Sequence, residues 1–81
     1  MGMLRVLSRQ GDDRYAWNAA EVESGDAEAI AAIKEAERIF REERAKGSTA
    51  MRLATGKPAE RIDNFDPEAQ QIVMIPRVVG G

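Results

Sequence analysis

Alternating apolar and polar residues at the start of the chain predict a β-strand. Residues 3–9 place Leu4 and Val6 on one face and Arg5, Leu7 and Arg9 on the other. A period of two is typical of a strand with one buried face. Leu7 is the apolar exception on the second face.

A second strand follows after a short polar turn. Residues 10–13 are turn formers, and residues 14–18 bring Tyr15 and Trp17 to the same side. The two segments therefore predict an amino-terminal hairpin. We expect both aromatic side chains to pack against the core or a neighbouring strand, and the alternative is a recognition surface.

The pattern changes to a helical period over residues 27–46. Apolar side chains recur at spacings of three and four residues, while charged residues occupy the opposite side. The apolar positions are Ala29, Ile30, Ala32, Ile33, Ala36, Ile39 and Phe40. Residues 19–25 are expected to be a connector, with Ser24 or Asp26 as the helix cap. Glu37–Arg41 and Glu42–Lys46 are opposite charges four residues apart, a spacing that favours ion pairs along a helix. Gly47 is suited to the left-handed position just after the helix.

Residues 49–54 alternate again and predict a third strand, which ends at a turn over residues 55–58. Residues 60–64 are expected to be a linking piece anchored by Ile62. Residues 65–69 are expected to form a single helical turn capped by Asp66. The pair Gly56-Lys57 lacks the first glycine, the hydroxyl residue and the helix of a phosphate-binding loop, so that interpretation is rejected.

The most apolar segment is Ile72–Ile75, close to the end of the chain. Four consecutive apolar residues that are too few for a helix predict a strand covered on both faces. Pro76 removes a backbone donor and limits further pairing. Residues 77–81 are expected to form a flexible, exposed tail, because Gly80 and Gly81 have no side chain to pack.

Composition narrows the possible functions. The chain has 81 residues, enough for one domain over 1–81, with 14 acidic and 12 basic residues and a net charge of −2. This balance argues against nucleic-acid binding through a basic face. The sequence has no histidine or cysteine, which argues against the usual enzymes and metal sites and predicts no bound cofactor. No apolar run approaches the roughly 20 residues of a membrane span, so we expect a cytoplasmic protein.

These elements pack most simply as one sheet with the helix across one face, an α+β arrangement. The most apolar strand belongs in the middle, beside the first strand and parallel to it. The predicted order of the four strands is second, first, last, third. This four-stranded mixed sheet with one helix resembles the β-grasp fold of ubiquitin.

The carboxyl-terminal residues strengthen that resemblance. The ending Ile72-Val73-Met74-Ile75-Pro76-Arg77-Val78-Val79-Gly80-Gly81 is similar to those of the ubiquitin-like superfamily, including the small sulfur-carrier proteins. The resemblance implies that an adenylating enzyme activates the carboxylate of Gly81. Gly80 has no side chain, so the tail can enter a narrow channel of that enzyme. The resemblance also implies a sulfur acceptor or a conjugation partner, and makes Arg77, Val78 and Val79 candidates for tail recognition.

Two departures leave the alternatives open. Arg77 stands where sulfur carriers often have a second proline, and Val79 stands where ubiquitin has arginine. The chain has three lysines, which poorly supports ubiquitin-style chain formation. A sulfur carrier, a protein modifier and a non-conjugated adaptor or assembly protein, as in phage tails, all remain compatible with the sequence.

Overall fold

A computed structural model describes residues 1–77 as an α+β fold with one long helix packed against a mixed sheet. Residues 78–81 lie outside the described residues, so the predicted tail positions Val78, Val79, Gly80 and Gly81 are not placed. The elements in chain order are β1 (Gly2–Ser8), β2 (Gly11–Trp17), α1 (Ala19–Glu23), α2 (Ala27–Ala45), β3 (Thr49–Leu53), β4 (Glu60–Ile62) and β5 (Gln71–Ile75).

The sheet has five strands in the order β2-β1-β5-β3-β4. The last strand, β5, lies between β1 and β3, parallel to the first and antiparallel to the other. The predicted order of the first, second, third and last strands is therefore confirmed. The predicted number of four strands is wrong, because Glu60–Ile62 pairs with β3 as an edge strand instead of forming a linking piece.

Helix α2 begins at the predicted residue, ends one residue before the predicted limit of 46, and is capped by Asp26, one of the two predicted caps. The side chain of Asp26 accepts a hydrogen bond from the amide of Ala29 at 2.9 Å, which satisfies a free donor of the first turn. The helix ends at Ala45, and Gly47 follows with a φ of 97°, a left-handed conformation that favours glycine.

Ion pairs on the exposed side of α2 differ in part from those predicted. Arg41 and Glu37 pair at 3.1 Å, as expected from their spacing. Lys46 pairs with Glu43 at 3.1 Å, whereas Glu42 pairs with Arg38. The predicted Glu42–Lys46 pair is therefore wrong, because each partner has another neighbour of opposite charge within one turn.

The expected connector before α2 contains the short helix α1. The side chain of Asn18 accepts a hydrogen bond from the amide of Glu21 at 3.2 Å, which caps this helix. Ser24 donates its hydroxyl to the carbonyl oxygen of Glu21 at the other end. Ser24 therefore ends α1, and Asp26 starts α2.

The core lies between α2 and one face of the sheet. Its buried members are Leu4, Trp17, Ala36, Phe40, Ala50, Ala69, Ile72 and Met74. Trp17 is 2% exposed and its ring centroid lies 5.1 Å from that of Phe65. Tyr15 is partly buried against the same cluster. The packing interpretation of both aromatic residues is confirmed.

The segment before β5 closes one end of the core. Asp66 accepts a hydrogen bond from the amide of Glu68 at 2.9 Å, and the amide of Ala69 bonds to the carbonyl of Asp66. The carbonyl oxygen of Pro67 accepts the indole N–H of Trp17 at 2.8 Å. The predicted helical turn over residues 65–69 is therefore wrong, and the side chain of Asp66 stabilises a simple turn instead.

Candidate functional site

The sheet has a second apolar face, on the side opposite α2. Successive strand residues point to opposite faces, so the neighbours of the core residues in β1, β3 and β5 point away from the helix. We call this surface the open face. Its apolar residues are Met3, Leu7, Met51, Leu53, Val73 and Ile75, and none of them belongs to the core cluster.

Strand register places the apolar residues of the open face at its centre. Val73 in the middle strand pairs with Arg5 of β1 and with Met51 of β3. The same row continues to Arg14 at the β2 edge and to Arg61 at the β4 edge. In this row, Val73 and Met51 are therefore flanked by Arg5 and Arg14 on one side and by Arg61 on the other.

The expectation that the last strand is covered on both faces is confirmed for Val73 and wrong for Ile75. Ile72 and Met74 face α2 and are fully buried, but Ile75 on the open face is 42% exposed. Val73 is 8% exposed although both helices of the described chain lie elsewhere. Its long neighbours Arg5 and Met51 shield it, since such side chains cover apolar surface with their stems.

The open face is more positive than the chain as a whole. Asp12 accepts hydrogen bonds from Arg5 at 2.9 Å and from Arg14 at 3.1 Å. Both hydrogen bonds lower the pKa of the Asp12 carboxyl from its ordinary value, and the bond from Arg14 has the larger effect. Arg61 forms none of the ion pairs found within residues 1–77. The strand residues of this face thus carry a formal charge of +2, against −2 for the chain.

The base of the predicted tail lies beside the end of α2. Pro76 and Arg77 follow β5 and are exposed. The side chain of Arg77 lies over Gly47, because a Cβ added at Gly47 would be 3.3 Å from Cδ of Arg77. A positive side chain is favoured near the carboxyl end of a helix, where free carbonyl groups concentrate negative charge. Of the tail-recognition candidates, Arg77 alone is placed.

A polar depression of about 430 Å³ lies on the helix side, between the β3–β4 turn and the turn before β5. Arg52, which lines it, bonds to Asp66 at 2.7 Å and also to Glu60. Both carboxylates raise the pKa of the Arg52 guanidinium, and the hydrogen bond to Asp66 has the largest effect. Because this guanidinium is already neutralised, the depression has no free charge from Arg52 to attract an anion.

The sequence predicted the tail but not the open face. The open face depends on which residues of β1, β3 and β5 become lateral neighbours, and that register is not visible in any one strand. One signal was present, since Leu7 breaks the alternation of β1 by placing an apolar residue on the outer side.

Comparison of the chain with protein-family models, with curated proteins and with solved structures finds no match. Within residues 1–77, no helix is long and apolar enough to cross a membrane. The same residues contain no group of three or more acidic side chains positioned to hold a metal ion.

Proposed function

We propose that this protein is a ubiquitin-like β-grasp carrier or modifier whose carboxyl-terminal glycine is activated by an adenylating enzyme. The observation that carries the proposal is the position of β5. This strand is in the middle of the sheet, is parallel to β1, and is followed directly by the exposed Pro76 and Arg77. A rigid central strand therefore supports the base of the segment that ends in Gly80 and Gly81.

The proposed chemistry occurs at the end of the chain. An oxygen of the Gly81 carboxylate attacks the α-phosphorus of ATP, and pyrophosphate leaves. Hydrosulfide then attacks the carbonyl carbon of the adenylate and displaces AMP to give a thiocarboxylate, or a cysteine thiolate of the enzyme displaces AMP to give a thioester. Glycine suits this task because it has no Cβ to obstruct a narrow channel. The nucleotide and the nucleophile belong to the partner.

A truncation tests this function. Purified adenylating enzymes of the native host are incubated with the protein, ATP and labelled pyrophosphate, and exchange of label into ATP is measured. We expect exchange with the intact chain and none after deletion of Gly80 and Gly81. Lys57→Ala, an exposed change in the β3–β4 turn, is the control and should retain full exchange. Equal exchange by intact and truncated chains would contradict the proposal.

The open face favours a second function, that of a non-conjugated adaptor. Ile75 is exposed on this face, and Met3, Leu7, Met51 and Leu53 are half-buried, so part of its apolar surface is available for protein association. An adaptor should keep its partner after deletion of Gly80 and Gly81 but lose it in Ile75→Glu. The matched control is Ala31→Glu, on the exposed side of α2. Trp17→Ala is unsuitable as a surface probe because Trp17 is buried in the core.

A further inference from the structure

The end of the sheet where the predicted tail begins carries two positive side chains. β1 and β5 are parallel neighbours, with Val6 opposite Met74, so the chain leaves both strands at the same end of the sheet. Arg9 follows Val6 by three residues. Arg77 follows Met74 by the same number, so both arginines belong to this end. Both are exposed, and neither forms an ion pair within residues 1–77. We call this region the tail end.

The opposite end of the domain is acidic. Trp17, at the end of β2, pairs with Gly2 at the start of β1, so α1 and the start of α2 lie at this end. Residues 19–28 include four exposed acidic side chains and no basic one, and a fifth acidic residue is in the turn before β5. None of the five forms an ion pair with another described residue. The five residues of this acidic end are Glu21, Glu23, Asp26, Glu28 and Glu68.

The other side chains that are outside ion pairs in the described part of the chain do not cancel this difference. Lys57, in the β3–β4 turn, offsets one of the five carboxylates, because β3 is antiparallel to β5 and ends at the acidic end. Asp13 lies opposite Val6 within β2, and Lys34 lies within α2. Arg61 lies within β4. The unpaired charge of the domain is therefore positive where the tail begins and negative at the far end.

We propose that this separation of charge orients the protein, so that it approaches an acidic surface of its partner with the tail end first. Charges that are not yet in contact steer association, and such steering raises association rates by about 10–10³. The inference rests on the proposed function and names the partner surface: the entrance of the enzyme channel that receives the tail carries carboxylates. Arg9 is a positioning residue for this approach, and together with Arg77 it outweighs the single negative charge of the Gly81 carboxylate.

The charge separation itself can be measured without the partner. The ¹⁵N-labelled full chain is mixed with one of two small soluble nitroxides, the first carrying a carboxylate and the second an amine. Each nitroxide broadens the amide resonances near the surface that attracts it. We expect the anionic nitroxide to act more strongly on the amides of Arg9, Gly47 and Arg77, and the cationic one to act more strongly on residues 19–28. Equal broadening by the two nitroxides at either end would overturn the proposal.

Charge reversal at each end tests the steering. Arg9→Glu and Lys57→Glu make the same change in net charge, the first at the tail end and the second at the acidic end. Pyrophosphate exchange by the adenylating enzyme is measured with limiting and with saturating protein. With limiting protein at low salt, we expect Arg9→Glu to slow exchange about three- to tenfold, the lower part of the range for electrostatic steering, and Lys57→Glu to retain the rate. With saturating protein, both variants should match the unaltered chain.

Salt and a milder variant complete the comparison. In 1 M salt, where screening acts over about 3 Å, the loss caused by Arg9→Glu should disappear. If that variant loses its native spectrum, Arg9→Gln replaces it and should show a smaller loss in the same direction. Equal effects of the two reversals, a loss that persists in 1 M salt, or a lower saturating rate would overturn this inference and leave the proposed function intact. Absence of exchange by the unaltered chain would overturn both.

Discussion

Gly2 lies directly against the indole ring of Trp17. The two residues are partners across β1 and β2, and a Cβ added at Gly2 would be 2.3 Å from Cε2 of the ring. The same edge of the ring is held by a hydrogen bond, since Nε1, which would be 2.6 Å from that Cβ, donates to the carbonyl oxygen of Pro67 at 2.8 Å. The absence of a side chain at Gly2 is therefore what allows Trp17 to fill this part of the core.

The first prediction follows from that contact. Gly2→Ala should destabilise the fold by about 1–3 kcal/mol, because the ring must shift within a packed core. Urea unfolding followed by far-ultraviolet circular dichroism measures the change, because Trp17 is the one tryptophan of the chain and is absent from the background used as the control. The cost should be smaller in a Trp17→Phe background, where the ring is shorter, and equal costs in both backgrounds would show that the contact is unimportant.

Gly47 gives the second prediction. Gly47 and Gly56 both have positive φ, at 97° and 75°, but a Cβ at Gly47 alone would meet Arg77, whereas Gly56 faces open space. Gly47→Ala and Gly56→Ala should each cost about 1 kcal/mol from backbone strain. Gly47→Ala should in addition shift the amide resonance of Arg77. An unshifted Arg77 resonance would contradict its position over the end of α2.

Asp12 gives the third prediction. Hydrogen bonds from Arg14 and Arg5 lower its pKa in the folded state, so its contribution to stability is present above its ordinary pKa and is lost as the pH falls through the lowered pKa. Asp12→Asn should therefore reduce the loss of unfolding free energy on acidification below about pH 4. Urea unfolding across pH 2–5 measures it, with Asp13→Asn as the control in the same strand. Equal pH profiles for both variants would contradict the prediction.

Two neighbouring residues of β5 test the two faces of the sheet. Met74 is fully buried against α2, and Ile75 is 42% exposed on the open face. Met74→Ala should cost about 2–5 kcal/mol, because it removes buried methylene groups and leaves a cavity. Ile75→Ala should cost less than about 1 kcal/mol, since an exposed side chain loses little burial. Thermal unfolding compares them, and similar losses would show that both sides of β5 are covered.

Helix α2 and the order of four strands were predictable because their signals are local. Seven apolar residues on one helical stripe and a cap at Asp26 specify the helix, and the most apolar strand takes the middle of the sheet. The edge strand β4 was missed because it is three residues long with one apolar residue, Ile62. Helix α1 was missed because five residues are too few to show a period, although Asn18 and Glu21 have the spacing of a helix cap.

The candidate site likewise has one part with a local sequence signal, the tail, and one part without, the open face. The predicted tail was read from four apolar residues, a proline and two terminal glycines, all adjacent in the sequence. The open face brings together Arg14, Val73 and Arg61, which are far apart in the sequence and meet only through strand register. Covering of β5 on both faces was the natural prediction from a continuous apolar run. The actual shield on its outer side comes from neighbouring long side chains.

The intact mass of the protein isolated from its native host tests whether the carboxylate of Gly81 is used chemically, as proposed. We expect a population in which one carboxyl-terminal oxygen is replaced by sulfur, or one in which Gly81 is joined to a lysine of another protein. Recovery of an unmodified carboxylate alone, from cells in which the activating enzyme is present, would contradict this expectation.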